Sequence, residues 1–392
     1  MSIRKQGKDT YRIDIYLGRE VHPETGKVTK TRGIHTFTGK QKAAEAEERR
    51  LLRERDLGLY VAPSNETVNE YLARWLRDYA KVELAGTTYE GYARCVNRYL
   101  EPRLGDMPLC KVRPQNIQAM YTALRDRPAR GGGKLSAHTV LHVHRVLREA
   151  FKHAVQDQIL AVNPCDAVRP PRREEKEMKS ITEAETARLL QGLQGTRYHA
   201  PVLLAVSCGL RRGEFLALRW KDVDLDAHTL SVRQALEQTK TGVTTKAPKT
   251  KKSARTLSIP VFVVATLKTH KAEQSARKLE QGNTWKDNDL VFPAPDGVPW
   301  SPSYFSRMFT YHARRLKVDC RLHDLRHSHA TQMLRQGIHP KIVSERLGHS
   351  KVGFTLDTYT HALVGMDEQA ARKVGAALQT AIAKNAKSAR LK

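Results

Sequence analysis

The 392-residue sequence has few cysteines, no long apolar run and a shortage of acidic side chains. The five cysteines are odd in number and never spaced as C-x-x-C, so neither a disulfide framework nor a zinc ribbon fits, and we expect a reducing compartment. No segment approaches the ~20 apolar residues of a membrane span. No apolar run follows the basic N-terminal residues as in a signal peptide. We therefore expect a cytoplasmic protein with no membrane partner.

The shortage of acidic residues leaves a large positive charge. Lysine and arginine total 68 against 41 aspartates and glutamates, which gives a net charge of +27 and a pI near 10.0. Solubility alone requires a far smaller excess. Because proteins this basic usually bind a polyanion, we expect nucleic acid as the partner.

Residues 1–62 are predicted to form a small β-sheet plus one helix. The stretch "TYRIDIYLG" alternates like a strand, with Tyr11, Ile13, Ile15 and Leu17 on one face. "HPETGK" predicts a turn and "VTKTRGIHTF" a further strand. "KQKAAEAEERRLLRERDLG" predicts a helix that ends at Gly58. Most of the excess positive charge of this unit lies in its strand part.

Residues 65–168 are predicted to form a helical unit, in which Thr67 and Thr87 are candidate N-caps and "RGGGK" is a flexible break. The helical stretches are "TVNEYLARWLRDYA", "TTYEGYARCVNRYLEPRLG", "RPQNIQAMYTALRDR" and "SAHTVLHVHRVLREAFKHAVQDQIL". Proline and charge in residues 163–177 predict a linker. Residues 178–392 then mix helices with strands near 229–260 and end in a helical tail. The expected fold class is a multidomain protein, mainly α with small β-sheets.

Four stretches of the third unit carry groups suited to one chemistry. "SCGLRRGEFLALRW" places Arg211 after a glycine turn, with Glu214 on the same helical face, where its carboxylate can orient the guanidinium. "KAPKTKKSARTLSIP" is a lysine-rich stretch before a strand, as in an exposed hairpin. In "HDLRHSHATQML", His323 and Arg326 share a face one turn apart.

The fourth stretch is "HPKIVSERLGHSKVGFTLDTYTH", which predicts a short helix from Pro340 to a stop at Gly348. His349 follows at once, and Tyr359 comes ten positions later. Two arginines, two histidines, a lysine and a hydroxyl nucleophile together indicate a phosphodiester site, since guanidiniums can fork onto both non-bridging oxygens. A metal site is disfavoured, because the four-residue spacing of two histidines comes without H-E-x-x-H or clustered acids.

In this order, G-L-R-x-G-E, a hairpin lysine, H-x-x-R, L-G-H and a tyrosine ten residues on resemble the tyrosine recombinase (phage integrase) family over residues 180–365. "RLGDMPLCKVRPQNIQ" (103–118) resembles the core-binding domain of the same family. The resemblance implies three domains: an arm-type DNA-binding domain (1–62), a SAM-like helical core-binding domain (65–168), and an α+β catalytic domain with a C-terminal tail helix (178–392).

The resemblance also implies a role for each site residue. Tyr359 would be the nucleophile, giving a 3′-phosphotyrosyl link and a free 5′-hydroxyl. Arg211 and Arg326 would clamp the phosphate, His323 would assist proton transfer, His349 would support the transition state and Glu214 would orient Arg211. Lys249 is the first choice for the general acid, with Lys251 and Lys252 left open. His327 and His329 are interpreted as structural. His327 is alternatively a group that would support a site residue without itself contacting the DNA. No metal and no cofactor are implied.

The function implied is a site-specific recombinase, the integrase of a phage or integrative element in a bacterial nucleoid. It would act on double-stranded DNA, at core and arm sites, as a homotetramer passing through a Holliday junction, with an excisionase or host DNA-bending factor as a further partner. The alternatives are a type IB topoisomerase and a non-catalytic DNA-binding regulator on the same scaffold. In the tail, Val374, Leu378, Ala381 and Ile382 share a helical face that would pack either on a neighbouring protomer or on its own domain.

Overall fold

The structure is a computed structural model that describes residues 3–21, 28–57, 60–61, 64–128, 133–172, 178–247, 254–359, 371–372 and 374–382. The chain divides into two compact units, residues 1–175 and 176–392. Several sequence predictions fall outside the described residues: the turn "HPETGK", the helix stop at Gly58, most of "RGGGK", and Lys249, Lys251 and Lys252. The expected fold class, mainly helical with small sheets, is confirmed.

The first part of the first unit is an antiparallel sheet of order β1-β2-β3 followed by one helix. Its elements are β1 (Ile3–Lys5), β2 (Thr10–Val21), β3 (Val28–Thr38) and α1 (Gln41–Asp56). Ile13 and Ile15 are fully buried and pack with Leu51 of α1, while Leu17 is partly buried against the same cluster. The predicted strands, their inward face and the helix are therefore confirmed.

The helical part of the first unit has one core. Its helices are α2 (Val68–Trp75), α3 (Lys81–Glu83), α4 (Gly86–Cys95), α5 (Glu101–Leu104), α6 (Pro114–Asp126) and α7 (Ala137–Gln156), with π-helical turns Leu76–Ala80 and Val96–Leu100 and 3-10 turns Leu109–Lys111 and Pro164–Ala167. The predicted cap of α2 is confirmed, since Thr67 Oγ1 accepts from the backbone N–H of Glu70 at 3.2 Å. The predicted cap at Thr87 is wrong, because α4 already begins at Gly86.

The linker prediction for residues 163–177 is wrong over its first part. Asn163 caps a 3-10 turn by accepting from the backbone N–H of Cys165 at 3.0 Å. Cys165 and Val168 are buried in the core of the helical part. Two apolar anchors three residues apart therefore hold this segment, although its proline and charge content is typical of a linker.

Before its tail, the second unit combines eight described helices with two small sheets. Its helices are α8 (Glu183–Leu193), α9 (His199–Cys208), α10 (Arg212–Leu216), α11 (Val261–Gln281), α12 (Pro302–Arg315), α13 (Asp324–Arg335), α14 (Pro340–Leu347) and α15 (Val352–Tyr359), with 3-10 turns Trp220–Asp222 and Gly282–Thr284. One antiparallel sheet has the order β4 (Val223–Asp224), β5 (Thr229–Val232), β8 (Arg255–Ser258), and β6 (Ala235–Thr239) pairs with β7 (Gly242–Lys246) in a hairpin. These strands confirm the predicted strand region.

Two glycines end helices in the left-handed conformation and bring backbone carbonyls to one place. Gly209 follows α9 with φ 65°, and Gly348 follows α14 with φ 67°. A Cβ at Gly209 would lie 2.6 Å from His329 Cδ2, and one at Gly348 would lie 2.9 Å from Arg255 Nη1. Both positions therefore require glycine for conformation and for space. The predicted helix from Pro340 to a stop at Gly348 is confirmed.

The described tail residues, 371–372 and 374–382, are helical. Val374, Leu378 and Ile382 are exposed by 59%, 58% and 67%, and Ala381 is also exposed. The predicted apolar face of the tail is thus open to solvent rather than packed on its own unit.

Candidate active site

The ends of four helices bring most of the sequence-predicted site residues together. Arg211 immediately precedes α10, and its Nη2 donates to Gly348 O at 3.1 Å. Arg326 lies in the first turn of α13, and its Nη2 donates to Leu347 O at 2.6 Å. His349 follows α14, and Tyr359 is the last residue of α15. The site therefore forms where α10 and α13 begin and where α14 and α15 end.

Of the two arginines predicted to clamp a phosphate, Arg326 is the buried one, with 2% of its surface exposed. Its Nη1 donates to Gly209 O at 2.7 Å and its Nη2 to Leu347 O, so both partners are carbonyls at helix C-termini. Such carbonyls carry partial negative charge but no full charge, so the guanidinium keeps its net charge for an anion. Burial, reinforced by the charge of Arg211, lowers the pKa of Arg326 to about 9, which leaves it cationic near neutral pH.

Arg211 is the more accessible of these two arginines, with 38% of its side chain exposed. Glu214 accepts from Arg211 Nη1 at 2.8 Å and from the Arg211 backbone N–H at 2.9 Å. The arrangement has the geometry expected of a carboxylate that orients a guanidinium toward a ligand. Burial alone would raise the pKa of Glu214, but hydrogen bonds and charge from Arg255 and Arg211 lower it, so the carboxylate stays ionised.

Arg255 is a site residue that the sequence analysis did not identify. Its Nη1 and Nη2 donate to both oxygens of Glu214 at 3.2 and 2.9 Å, and its Nε donates to Arg346 O at 2.6 Å. Its side chain is 7% exposed. The alternation of β8 contains the missing signal, because Arg255 has the same parity as the buried Leu257 and Ile259 and so faces inward.

His327 contacts the predicted nucleophile directly. Its Nδ1 lies 2.7 Å from Tyr359 Oη, and the tyrosine is 1% exposed. Burial, with the neighbouring charge of His323, lowers the pKa of His327 to about 4, so the ring is neutral and can accept the phenolic hydrogen. Burial raises the pKa of Tyr359 to about 12, while Arg326 and Arg211 act in the opposite direction. The structure thus places His327 in direct contact with the predicted nucleophile, which a purely structural interpretation of this histidine does not require.

His323 and His349 complete the cluster as neutral rings. His323 packs edge-on against His327 with ring centroids 4.7 Å apart, and burial, then Arg326, lowers its pKa. His349 Nδ1 lies 2.7 Å from Thr355 Oγ1, and burial, then Arg326 and Arg211, lowers its pKa to about 3. A bound phosphodiester would oppose these shifts, because its negative charge favours protonated histidine.

His329 is hydrogen-bonded to an arginine outside the predicted set of site residues. It accepts a hydrogen bond from Arg346 Nε at 3.2 Å, and burial lowers its pKa to about 3. This contact agrees with the structural interpretation made from the sequence.

The side chains gathered at this site carry guanidinium, imidazole and phenol groups. Over the described ranges, no group of three or more His, Cys, Asp or Glu side chains is placed to hold a metal ion. Nor does that part of the chain contain a helix long and apolar enough to cross a membrane.

Comparisons with known proteins find integrases over both units. Residues 174–365 match the phage integrase family, and residues 67–125 match its N-terminal SAM-like domain. A tyrosine recombinase XerC-like protein of Caldanaerobacter subterraneus subsp. tengcongensis is 30% identical over 381 residues, covering 92% of this chain and 94% of its own. The ICEBs1 integrase of Bacillus subtilis is 27% identical over 378 residues, covering 95% and 99%.

Solved structures with the same fold are also integrases. The Tn1549 transposon integrase in complex with a circular intermediate DNA is 21% identical, with a TM-score of 0.65, and the match covers 79% of this chain and 99% of that one. A lambda integrase tetramer bound to a Holliday junction is 19% identical, with a TM-score of 0.53, covering 89% and 96%.

Proposed function

Because the chain belongs to the phage integrase family of tyrosine recombinases, we propose that it is a site-specific DNA recombinase whose nucleophile is Tyr359. The assignment of site residues rests mainly on one observation, which is that two guanidiniums and a phenol lie in one cluster. Arg326 is held by neutral carbonyls, and Arg211 by a carboxylate that Arg255 already neutralises. The cluster therefore keeps net positive charge for a phosphodiester, which otherwise repels a nucleophile.

The proposed reaction is a transesterification that conserves the number of phosphoester bonds. Tyr359 Oη attacks the scissile phosphorus while Arg211 and Arg326 bind its non-bridging oxygens. A 3′-phosphotyrosyl bond forms, the bond to the 5′-oxygen breaks, and Lys249 donates a proton to that oxygen. The phenolic proton passes to a histidine of the cluster, either His323 or His327. A free 5′-hydroxyl of a second strand reverses the step, and two exchanges resolve a Holliday junction.

The resting arrangement implies a movement of the nucleophile. Tyr359 is 1% exposed, is hydrogen-bonded to His327 and belongs to a buried apolar cluster with Leu334 and Leu347. A phosphate in the clamp therefore meets the phenol only after the Tyr359 side chain turns out of this buried position toward the two arginines. Binding of DNA would favour that movement, since the phosphate would lie beside the two guanidiniums.

A second DNA segment is the proposed ligand of residues 1–62, acting as an arm-type domain beside the core-binding (65–168) and catalytic (178–392) domains. Alternation that buries Ile13 and Ile15 leaves the other face of the sheet to solvent. On that face Tyr16 pairs with Arg32 across β2 and β3, and both side chains are exposed. An aromatic and cationic strand surface suits groove and backbone contacts. Two DNA-binding modules on one chain raise each other's effective concentration.

The biological setting follows from these roles. We assign the protein to an integrative element or phage in a bacterial cytoplasm, where it acts as a homotetramer on core and arm sites. An excisionase or a host DNA-bending factor is the proposed partner that sets the direction of recombination. The net charge of +27 supports an extended contact with DNA.

The direct repeats that flank the element encoding this chain define the substrate for a test. Full-length protein is incubated with a nicked duplex of the repeat, which traps a covalent complex, and then with two intact duplexes. We expect a covalent complex and exchanged strands. A covalent complex without exchange between duplexes would identify a topoisomerase instead, and binding without any covalent complex would identify a regulator.

A further inference from the structure

One face of α15 forms hydrogen bonds with two histidines of the site. Thr355 Oγ1 lies 2.7 Å from His349 Nδ1, and Tyr359 Oη lies 2.7 Å from His327 Nδ1. Thr355 and Tyr359 are four residues apart, so they project from adjacent turns of the same face. Both are buried, with 0% and 1% of their surface exposed. The helix that carries the proposed nucleophile therefore also holds a second histidine of the site.

We propose that Thr355 is a positioning residue for recombination, which fixes His349 with Nε2–H directed to the scissile phosphate only while the tyrosine helix is docked. The proposal rests on the proposed function, because it takes a phosphodiester as the ligand. Thr355 acts through His349 and does not itself touch the DNA.

The tautomer follows from the chemistry of the two partners. His349 is neutral in the folded protein, so only one ring nitrogen carries hydrogen. The non-bridging oxygens of a phosphodiester only accept hydrogen bonds, so the nitrogen that meets them must be the N–H. With Nδ1 engaged by Thr355, that nitrogen is Nε2. The hydroxyl of Thr355 must then donate to Nδ1, which is the tautomer control exerted by hydrogen-bond partners of functional histidines.

A hydroxyl also suits the other protonation state of the ring. When a bound phosphate favours protonated His349, Nδ1 becomes a donor, and Thr355 Oγ1 can rotate to accept from it. Serine retains both abilities, whereas valine has the shape of threonine and neither ability. Threonine and valine fill almost the same volume. At a fully buried position the valine variant therefore tests loss of the hydroxyl with little change in packing.

Docking of α15 controls both of these hydrogen bonds at once. Withdrawal of α15 breaks the contacts of Thr355 and Tyr359 together, because both belong to the same buried face. A protomer with an undocked tyrosine helix therefore has a His349 ring without its restraint, although Arg211 and Arg326 still hold their carbonyl partners. Clamping of the phosphate and activation of the histidine are thus separable steps.

The test compares Thr355→Val and Thr355→Ser by the rate of covalent-complex formation on the nicked repeat duplex at saturating protein. Loss of a preorganised donor that contacts the reacting group costs about 100-fold to 1000-fold in rate. Thr355 acts only through His349, so we expect the valine variant to lose at least about tenfold. We expect serine to stay within about threefold of wild type, and DNA affinity to be unchanged in both variants.

A double mutant separates positioning from a merely structural effect. In a His349→Ala background, Thr355→Val should cause no further loss of rate, because its target is already absent. Equal losses in both backgrounds, or a valine variant as fast as wild type, would overturn the proposal. A wild-type protein that forms no covalent complex would instead refute the proposed function.

A measurement on the wild-type chain covers the case in which the valine variant fails to fold. Long-range ¹H–¹⁵N spectra of histidine-labelled full-length protein, with His349 assigned by its loss in His349→Ala, report the tautomer of the ring. We expect the Nε2–H form, and observation of the Nδ1–H form would overturn the proposal.

Discussion

Replacement of Arg255 by methionine should lower the stability of the second unit far more than replacement of an exposed charged residue does. The substitution removes two hydrogen bonds to Glu214 and one to Arg346 O. The side chains of Arg255 and Glu214 are 7% and 6% exposed, so water cannot take over the contacts. Glu214 would remain charged and buried with only Arg211 to compensate it.

The magnitude follows from this burial. Breaking a buried ion pair by removing one partner costs about 3–5 kcal/mol, and the remaining contacts of Arg211 favour the lower end. For a unit the size of residues 176–392, each kcal/mol shifts the midpoint by about 2–4 °C, so about 3 kcal/mol lowers it by about 6–12 °C. Adding Glu214→Gln removes the uncompensated charge, so the double variant should lose less than the sum of the single losses.

Scanning calorimetry of the full chain measures these shifts, with the transition of residues 176–392 recognised by its response to Leu204→Ala in the core. Lys268→Met is the matched control, since its pair with Asp226 spans 3.7 Å between side chains that are 57% and 98% exposed. An exposed pair contributes at most about 1 kcal/mol, so that change should shift the midpoint by at most about 4 °C. If Arg255→Met shifts it no more than the control does, the bridging role of Arg255 is refuted.

Three further changes test other parts of the site. Arg211→Lys should lower the rate of covalent-complex formation by more than about tenfold, because an ammonium cannot donate two parallel hydrogen bonds, and a smaller loss would contradict the clamp. Lys249→Ala should slow cleavage of a normal duplex much more than that of a 5′-bridging sulfur substrate, whose thiolate leaves without a proton; equal defects would redirect the assignment to Lys251 or Lys252. Acidification from about pH 6.5 should progressively lower the unfolding midpoint, because the folded pKa values of His327 and His349, about 4 and 3, let the unfolded chain bind protons first. A flat midpoint down to pH values near 4 would show that these rings are not buried neutral.

Local geometry explains why much of the site could be predicted from the sequence. The contact between Arg211 and Glu214 spans three residues within one helical turn, and His323 and Arg326 have the same spacing. Such pairs depend on helix periodicity alone. The stops at Gly209 and Gly348 are likewise local, because left-handed backbone favours glycine.

Contacts between distant elements could not be predicted in the same way. Glu214 and Arg255 lie 41 residues apart, and His327 and Tyr359 lie 32 apart, so their pairing depends on how separate elements pack. Strand parity indicates that Arg255 faces inward, but not which carboxylate it meets. Composition predicts a linker at residues 163–168 because it describes a chain only locally, whereas burial of Cys165 depends on the whole helical core.

Peptide mapping of the trapped complex tests whether Tyr359 forms the covalent bond to DNA. Mass spectrometry of the digested complex should find the nucleotide 3′-phosphate on the peptide that contains Tyr359. Tyr359→Phe should bind the same duplex with unchanged affinity and yield no covalent complex, because only the hydroxyl is removed. A nucleotide attached to any other residue, or a covalent complex formed by the phenylalanine variant, would rule out Tyr359 as the nucleophile.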